Sequence, residues 1–260
     1  MGASPEFLPN RPAAAMRRQY ARPPILEAII DIQAALPPDI TVATLGKVYF
    51  GEETTYPVRE EMVQIEGTLN WQAGESSGAA TQTPVGYRIA TQQRDRIVQV
   101  RMNGMSSSRL HPYTSWEENR DEGKRFWEKF LEVARPIAVT RIGVRYINRI
   151  RLPEGAGDLT EYFRVRPELP SDMPHSVNNF VLRLEIPQPD LPRGMLILNE
   201  GMVPDPESGG VAFLLDLDVF QTLQMPPESD ELWGRIEQLH ERENTLFEQS
   251  VTDRTRALFS

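Results

Sequence analysis

The sequence predicts an α+β fold in which an antiparallel sheet carries its helices on one face. Short strand patterns are separated by turns rich in glycine and proline, and amphipathic helical patterns follow groups of strands. The order β-α-β-β-β-α occurs twice, at a spacing of roughly 115 residues. We therefore predict two tandem, pseudo-duplicated halves, 23–136 and 137–260. The alternative is one α+β domain whose halves look alike because hairpins and helices are common.

The first half opens with a β-branched run behind two prolines, which are tolerated where a strand starts. Asp39 is the expected N-cap of a short helix that carries Val42, Leu45 and Val48. A Gly/Ser/Ala/Thr-rich stretch at 73–83 is typical of a mobile hairpin loop. The half closes with a helix that begins at the capping box Ser115–Glu118 and ends at Arg135-Pro136. The predicted strands are Pro23–Gln33, Val58–Thr68, Val85–Thr91 and Arg96–Met105.

The second half repeats this order. Asp158 opens a short helix through Tyr162 and Phe163, and a final helix begins near Ser229 with its apolar side chains on one long face. The predicted strands are Val139–Leu152, Phe180–Ile186, Gly194–Asn199 and Val211–Phe220. Joining the halves through their first strands would give a saddle or a helix-gripping sheet. By element order alone, this architecture resembles TATA-binding-protein-like and helix-grip folds, and a fold does not fix a function.

Composition excludes several classes of protein. The 260 residues include 37 acidic and 28 basic side chains, which gives a net charge of −9, and there is no cysteine. Thiolate metal sites, disulfide scaffolds and cysteine hydrolases are therefore excluded. An acidic surface disfavours nucleic acid unless the basic residues gather on one face. No apolar run approaches the roughly 18 residues of a membrane span, so we expect no membrane contact.

The N-terminal region is not expected to belong to the fold. Residues 1–7 are typical of a cloning-vector remnant, and the Pro-, Ala- and Arg-rich stretch that follows reads as a flexible lead-in through residue 22. It lacks the apolar segment of a signal peptide, and we expect a cytoplasmic protein.

The strand Val139–Leu152 carries the sharpest local pattern. Alternation places Tyr146 and Asn148 on its apolar face and four arginines on the other. Guanidinium groups grip carboxylates and phosphates, so this face is a candidate binding surface with Arg141, Arg145 and Arg149 as anchors. The alternative is cross-strand pairing with carboxylates. The candidate partners are Glu27, Asp31, Glu185, Asp216 and Asp218.

Further candidates lie near this surface. Arg101 on the preceding strand, and Arg109 and Tyr113 in the link before the capped helix, extend the candidate binding set. A helix N-terminus attracts anions; alternatively, Tyr113 plugs the edge of the core. Asn148 needs hydrogen-bond partners among apolar neighbours, either in a neighbouring loop or in a ligand.

Catalytic signatures are weak. His111, His175 and His240 are the three histidines, and His240 with Glu243 one turn later could be metal ligands, an acid/base pair or a core histidine with its neighbour. No zincin, hydrolase-elbow, P-loop or dinucleotide motif occurs. We expect no cofactor and no metal site.

Several segments resemble a sporadically distributed bacterial family of uncharacterised proteins. The resemblance spans Arg22 to Phe259, and its marks are the Pro-Pro-Ile strand at 23–25, the Arg-Tyr-Ile-Asn strand at 145–148 and the segments 108–117, 239–242 and 247–252. Members more often have an aromatic residue where this chain has Met105. The resemblance implies no activity; its patchy distribution would suit an accessory component of a defence or toxin–antitoxin system.

These observations favour a non-enzymatic binding or regulatory protein that takes a protein partner or a small anionic ligand on the arginine face. An enzyme that acts on a phosphorylated or nucleotide substrate, with His111 or His240 as acid/base, is the first alternative. A saddle-type nucleic-acid binder is the second. The sequence gives no oligomeric state.

Overall fold

A computed structural model describes residues 18–72, 75–153, 156, 158–170, 172–173, 179–205 and 210–260. Within these residues the helices are α1 (Val42–Leu45), α2 (Trp116–Ala134), α3 (Glu231–Ser250) and α4 (Asp253–Arg256), with 3₁₀ turns at Gly46–Tyr49, Leu159–Glu161 and Ala257–Phe259. The strands are β1 (Ile25–Ala35), β2 (Val58–Gln72), β3 (Glu75–Ala90), β4 (Arg96–Arg101), β5 (Gly104–Leu110), β6 (Ala138–Arg151), β7 (Val181–Gln188), β8 (Gly194–Pro204) and β9 (Val211–Met225).

All nine strands of the described residues form one antiparallel sheet, in the order β2-β3-β4-β5-β1-β6-β9-β8-β7. The first strands of the two predicted halves, β1 and β6, are neighbours at its centre, with Ile30 opposite Val144. The predicted α+β class with an antiparallel sheet is confirmed. The predicted halves contribute five and four strands to this single sheet.

Helices α2 and α3 lie side by side on one face of the sheet, called the helix face below. Helix α2 packs on β5 and β1, and α3 packs on β6 and β9. Alternate residues of each central strand are buried beneath them, such as Ile30 and Val144, because side chains alternate between the faces of a strand. The residues that alternate with these along each strand have their side chains on the opposite face, called the open face.

The predicted N-cap of α2 is confirmed. The Ser115 hydroxyl accepts a hydrogen bond from the backbone N–H of Glu118 at 3.2 Å, which satisfies one of the free donors of the first turn. At the other end, Arg135 adopts a left-handed conformation with φ 45°, and its N–H donates to the Leu131 carbonyl. The capped helix therefore holds Trp116 in a fixed position beside the sheet.

Two predictions about the first half are wrong. The segment predicted as one strand, Arg96–Met105, is the hairpin of β4 and β5, because Asn103-Gly104 is a turn signal. Gly104 has φ +134°, and a Cβ there would lie 2.1 Å from the Ile32 carbonyl oxygen. The segment predicted as a loop, 73–83, belongs to β3 from residue 75 onward, because its backbone pairs with β2; residues 73 and 74 lie outside the described residues.

Other expectations differ in smaller ways. The cap of α1 is Thr41 rather than Asp39, because the Thr41 hydroxyl is the group that accepts from the Thr44 N–H, at 3.2 Å. Within the predicted lead-in, the Arg22 N–H donates to the Phe259 carbonyl at 3.0 Å and the Tyr20 hydroxyl contacts Glu248 at 2.6 Å. Residues 1–17 and His175 lie outside the described residues.

Candidate functional site

The arginines of β6 face carboxylates on the open face. Arg141 reaches Asp31 of β1 through Nη1 and Asp218 of β9 through Nη2, both at 2.9 Å, and Arg101 of β4 also contacts Asp31. Burial raises the pKa of the Asp218 carboxyl above its ordinary value, and Arg141 opposes that shift. A ladder of alternating charge therefore crosses the sheet from β4 to β9.

Arg145 makes the best-formed pair of this surface. Its Nε and Nη2 each lie 2.7 Å from one oxygen of Asp216, a bidentate contact, and Asn199 of β8 donates to the same carboxylate at 3.0 Å. The bond to Asp216 raises the pKa of the Arg145 guanidinium. Asp216 has only 6% of its side chain exposed. Cross-strand pairing, the alternative interpretation of the arginine pattern, thus describes the contacts of Arg141 and Arg145.

The remaining predicted residues are divided between the two faces. Arg149 alternates with the apolar residues of β6, and no carboxylate partner is found for it among the described residues. Arg109 lies on the helix face, where it contacts Glu118 at 3.0 Å and Glu122 at 3.3 Å on α2. Tyr113 lies at the N-terminal end of α2. The structure therefore does not gather the six predicted residues into one site.

A cleft of about 920 Å³ lies on the helix face, between the start of β1, the N-terminal end of α2, β6 and α3. Its size is within the range of small-molecule sites. Of the predicted binding residues only Tyr113 lines it; Asn148, His240 and Glu243 also do so. The aromatic side chains of its wall are Tyr20, Tyr113, Trp116, Tyr146 and Phe247.

A chain of polar groups joins the walls of the cleft. The hydroxyls of Tyr113 and Tyr146 are 3.1 Å apart, and the Tyr146 hydroxyl lies 3.3 Å from Nδ1 of His240. The His240 ring stacks on Trp116 with centroids 3.9 Å apart, and the Trp116 indole N–H donates to Glu237 at 2.7 Å. These contacts hold α2, α3 and β6 in fixed positions around the cleft.

Two further side chains of the cleft have polar atoms without a protein partner among the described residues. Asn148 donates from Nδ2 to the Leu215 carbonyl of β9 at 3.2 Å, a strand rather than the predicted loop, and this bond leaves its Oδ1 unused. Glu243 is 3% exposed, and its Oε1 has no hydrogen-bond partner. Burial raises the pKa of the Glu243 carboxyl well above its ordinary value. The cleft thus contains a buried carboxyl whose charged form is disfavoured and whose Oε1 lacks a partner.

Charge is uneven along the cleft. Its lining contains five carboxyl side chains and two arginines. Arg242 pairs with Asp190, and burial lowers the pKa of that guanidinium. Glu248 contacts Arg256 at 2.7 Å. The sequence pattern pointed to His240 and Glu243 only through their spacing, and no signal pointed to Asp190 or Arg242, since these residues meet through the tertiary fold.

No protein-family model matches the chain, and no curated protein matches its sequence. In the described part of the chain, no group of three or more His, Asp or Glu side chains is placed to hold a metal ion. Among the same residues, no helix is long and apolar enough to cross a membrane.

Proposed function

We propose that this chain is a non-enzymatic binding protein and that the cleft on its helix face, rather than the arginine face, takes the ligand. The observation that carries the proposal is the Glu243 carboxyl, which is buried in the lining of the cleft and leaves Oε1 unpaired. A buried polar atom without a partner costs about 1–3 kcal/mol. A ligand that satisfies it recovers part of that cost, so the unpaired atom favours binding.

The rest of the cleft supports this function. Asn148 Oδ1 and the hydroxyls of Tyr113 and Tyr146 add hydrogen-bonding groups, and aromatic side chains supply apolar area. Aromatic side chains and hydrogen-bonding groups that converge on one concavity are typical of small-molecule sites. The packing of Trp116 on His240 fixes the walls, so little ordering is needed on binding.

The arginine face is a weaker candidate for an anion. Asp31, Asp216 and Asp218 already neutralise Arg101, Arg141 and Arg145, so an incoming anion would have to displace them. The same pairs weaken the proposal of a saddle-type nucleic-acid binder. Arg149 keeps its charge available to a protein partner. The enzyme alternative finds less support, because His111 is exposed outside the cleft and His240 is buried against Trp116.

We also propose that the two halves arose by duplication. Outward from the centre of the sheet, the order is β1-β5-β4-β3-β2 on one side and β6-β9-β8-β7 on the other. In each half the first strand is central, and the later strands follow outward in the reverse of their order along the chain. Each closing helix packs on the innermost two strands of its own half. A TATA-binding-protein-like or helix-grip-like shape, the accessory role in defence and the cytoplasmic location remain predictions of the sequence.

Saturation-transfer NMR tests the proposed function. The probes are putrescine, uridine, glucose and succinate, each at millimolar concentration with the full chain. At least one probe should receive saturation from the wild type and lose it in Thr245→Trp, which places an indole in the cleft lining. Glu128→Trp, at an exposed site of α2 outside the cleft, is the matched control. If no probe binds, or if Thr245→Trp binds as the wild type does, the proposal is wrong.

A further inference from the structure

We propose that the ligand of the cleft is an organic cation with an ammonium group, such as an aliphatic amine, that pairs with Glu243. This inference rests on the proposed function and names its ligand class. It follows from three features of the cleft: an acid without a cationic partner, an excess of carboxylates in the lining, and aromatic side chains in its walls.

The first feature is the position of Glu243 on α3. The carboxyl is buried, and no arginine or lysine of the described residues pairs with it. Two other buried acids have cations: Glu52 contacts Arg125 and Lys129, and Glu122 contacts Arg96 and Arg109. Glu200 of β8 also lacks a cation, but it does not line the cleft. A buried carboxylate is stable only when it is paired. Glu243 therefore lacks the cation that an ammonium ligand would bring.

The second feature is charge. The lining carries five carboxyl groups and two arginines; Asp190 pairs with Arg242, and Glu248 pairs with Arg256, which lies outside the lining. Glu241 adds an exposed carboxylate to the lining. A potential of this sign attracts cations and repels anions. The small anionic ligand expected from the sequence therefore does not suit this cleft.

The third feature is the set of aromatic side chains. Tyr113, Trp116 and Tyr146 line the cleft together with Glu243. A ligand cation within about 6 Å of a ring face is attracted by the ring quadrupole. An ammonium group has three donors, and the lining offers carboxyl, amide and hydroxyl oxygens as acceptors. The ion pair formed by the Glu243 carboxylate and the ammonium group is neutral overall.

Isothermal titration calorimetry with three matched four-carbon probes tests the proposal. Putrescine should bind the wild type at least tenfold more tightly than 1,4-butanediol and succinate do, because the diol lacks the charge and succinate reverses it. Glu243→Gln should weaken putrescine binding at least tenfold and leave diol binding unchanged. Glu128→Gln, at the exposed site on α2, should behave as the wild type.

The outcomes separate this inference from the proposed function. Binding of uridine or glucose to the cleft without binding of putrescine would overturn the ammonium ligand and leave the binding function standing. Putrescine binding that Glu243→Gln does not weaken would also overturn it. The wild-type comparison of the three probes does not depend on the folding of any variant.

Discussion

Glu200 makes the stability of the fold depend on pH in a direction opposite to that of most acids. It lies on β8 between Leu182 and Leu215 of the flanking strands, is 2% exposed, and neither carboxyl oxygen has a hydrogen-bond partner. Burial raises its pKa from the ordinary value of 4.5 to about 8. The folded state therefore holds a proton that the unfolded chain releases between these two pH values.

The sign and size follow from proton linkage. Because the folded state binds more protons in this window, the contribution of Glu200 to stability is greatest below pH 4.5 and falls as the pH rises toward 8. Each pKa unit corresponds to about 1.4 kcal/mol, so the loss of unfolding free energy is about 5 kcal/mol at most. Structural relaxation around Glu200 reduces it below this upper bound. Glu200→Gln removes the titration and keeps the shape of the side chain.

Urea unfolding followed by tryptophan fluorescence at pH 4.5, 6, 7.5 and 9 measures the effect. The variant should match the wild type at pH 4.5, exceed its unfolding free energy progressively up to pH 8, and hold a constant advantage of a few kcal/mol above that. Glu243 and the other titrating groups are present in both proteins, so their contributions to the pH dependence cancel in the difference. Glu128→Gln should show a flat difference. A difference for Glu200→Gln that does not change with pH would refute the reasoning.

Two further predictions concern the sheet. Arg145→Ala should cost about 1–3 kcal/mol of unfolding free energy, because it leaves Asp216 buried with only Asn199 as a donor. Arg149→Ala should cost less than about 1 kcal/mol. Equal losses in chemical denaturation would contradict the paired role of Arg145. Gly104→Ala should destabilise the protein by about 2 kcal/mol or more, because φ is positive there and the new Cβ would lie 2.1 Å from the Ile32 carbonyl oxygen. Gly234→Ala, with open space around it on α3, should stabilise the protein by about 0.5–1 kcal/mol. A neutral Gly104→Ala would show that the β4–β5 turn does not need glycine.

Local chemistry made much of this fold predictable from the sequence. The capping box at Ser115 and the apolar period behind it located α2, and alternation in β6 separated Arg141 and Arg145 from Tyr146 and Asn148 correctly. The continuation of β3 to residue 75 was missed because its Gly-, Ser- and Thr-rich run has no hydrophobic alternation. Backbone pairing with β2 forms that part of the strand, and pairing leaves no mark in composition.

The site was less predictable for a different reason. Asp31, Asp216 and Asp218 could be named as candidate partners, because two-residue spacing keeps them on one face of their strands. The cleft joins the segments 18–25, 113–117 and 238–248, which are far apart in the chain. Only the pairing of β1 with β6 and the packing of α3 beside α2 bring these segments together. A local pattern therefore marked His240 and Glu243 without indicating that they face an opening.

The structure shows where charged groups that make up the net charge of −9 lie. On the open face, three arginines of β4 and β6 meet three aspartates, so their charges cancel. The lining of the cleft, in contrast, has three more carboxyl groups than arginines, and Glu243 has no cationic partner among the described residues. A field of this kind speeds the encounter with a cation and is screened over about 10 Å at 0.1 M salt. The association rate of an amine should therefore fall as salt is added, while the buried contact with Glu243, once formed, is much less exposed to screening.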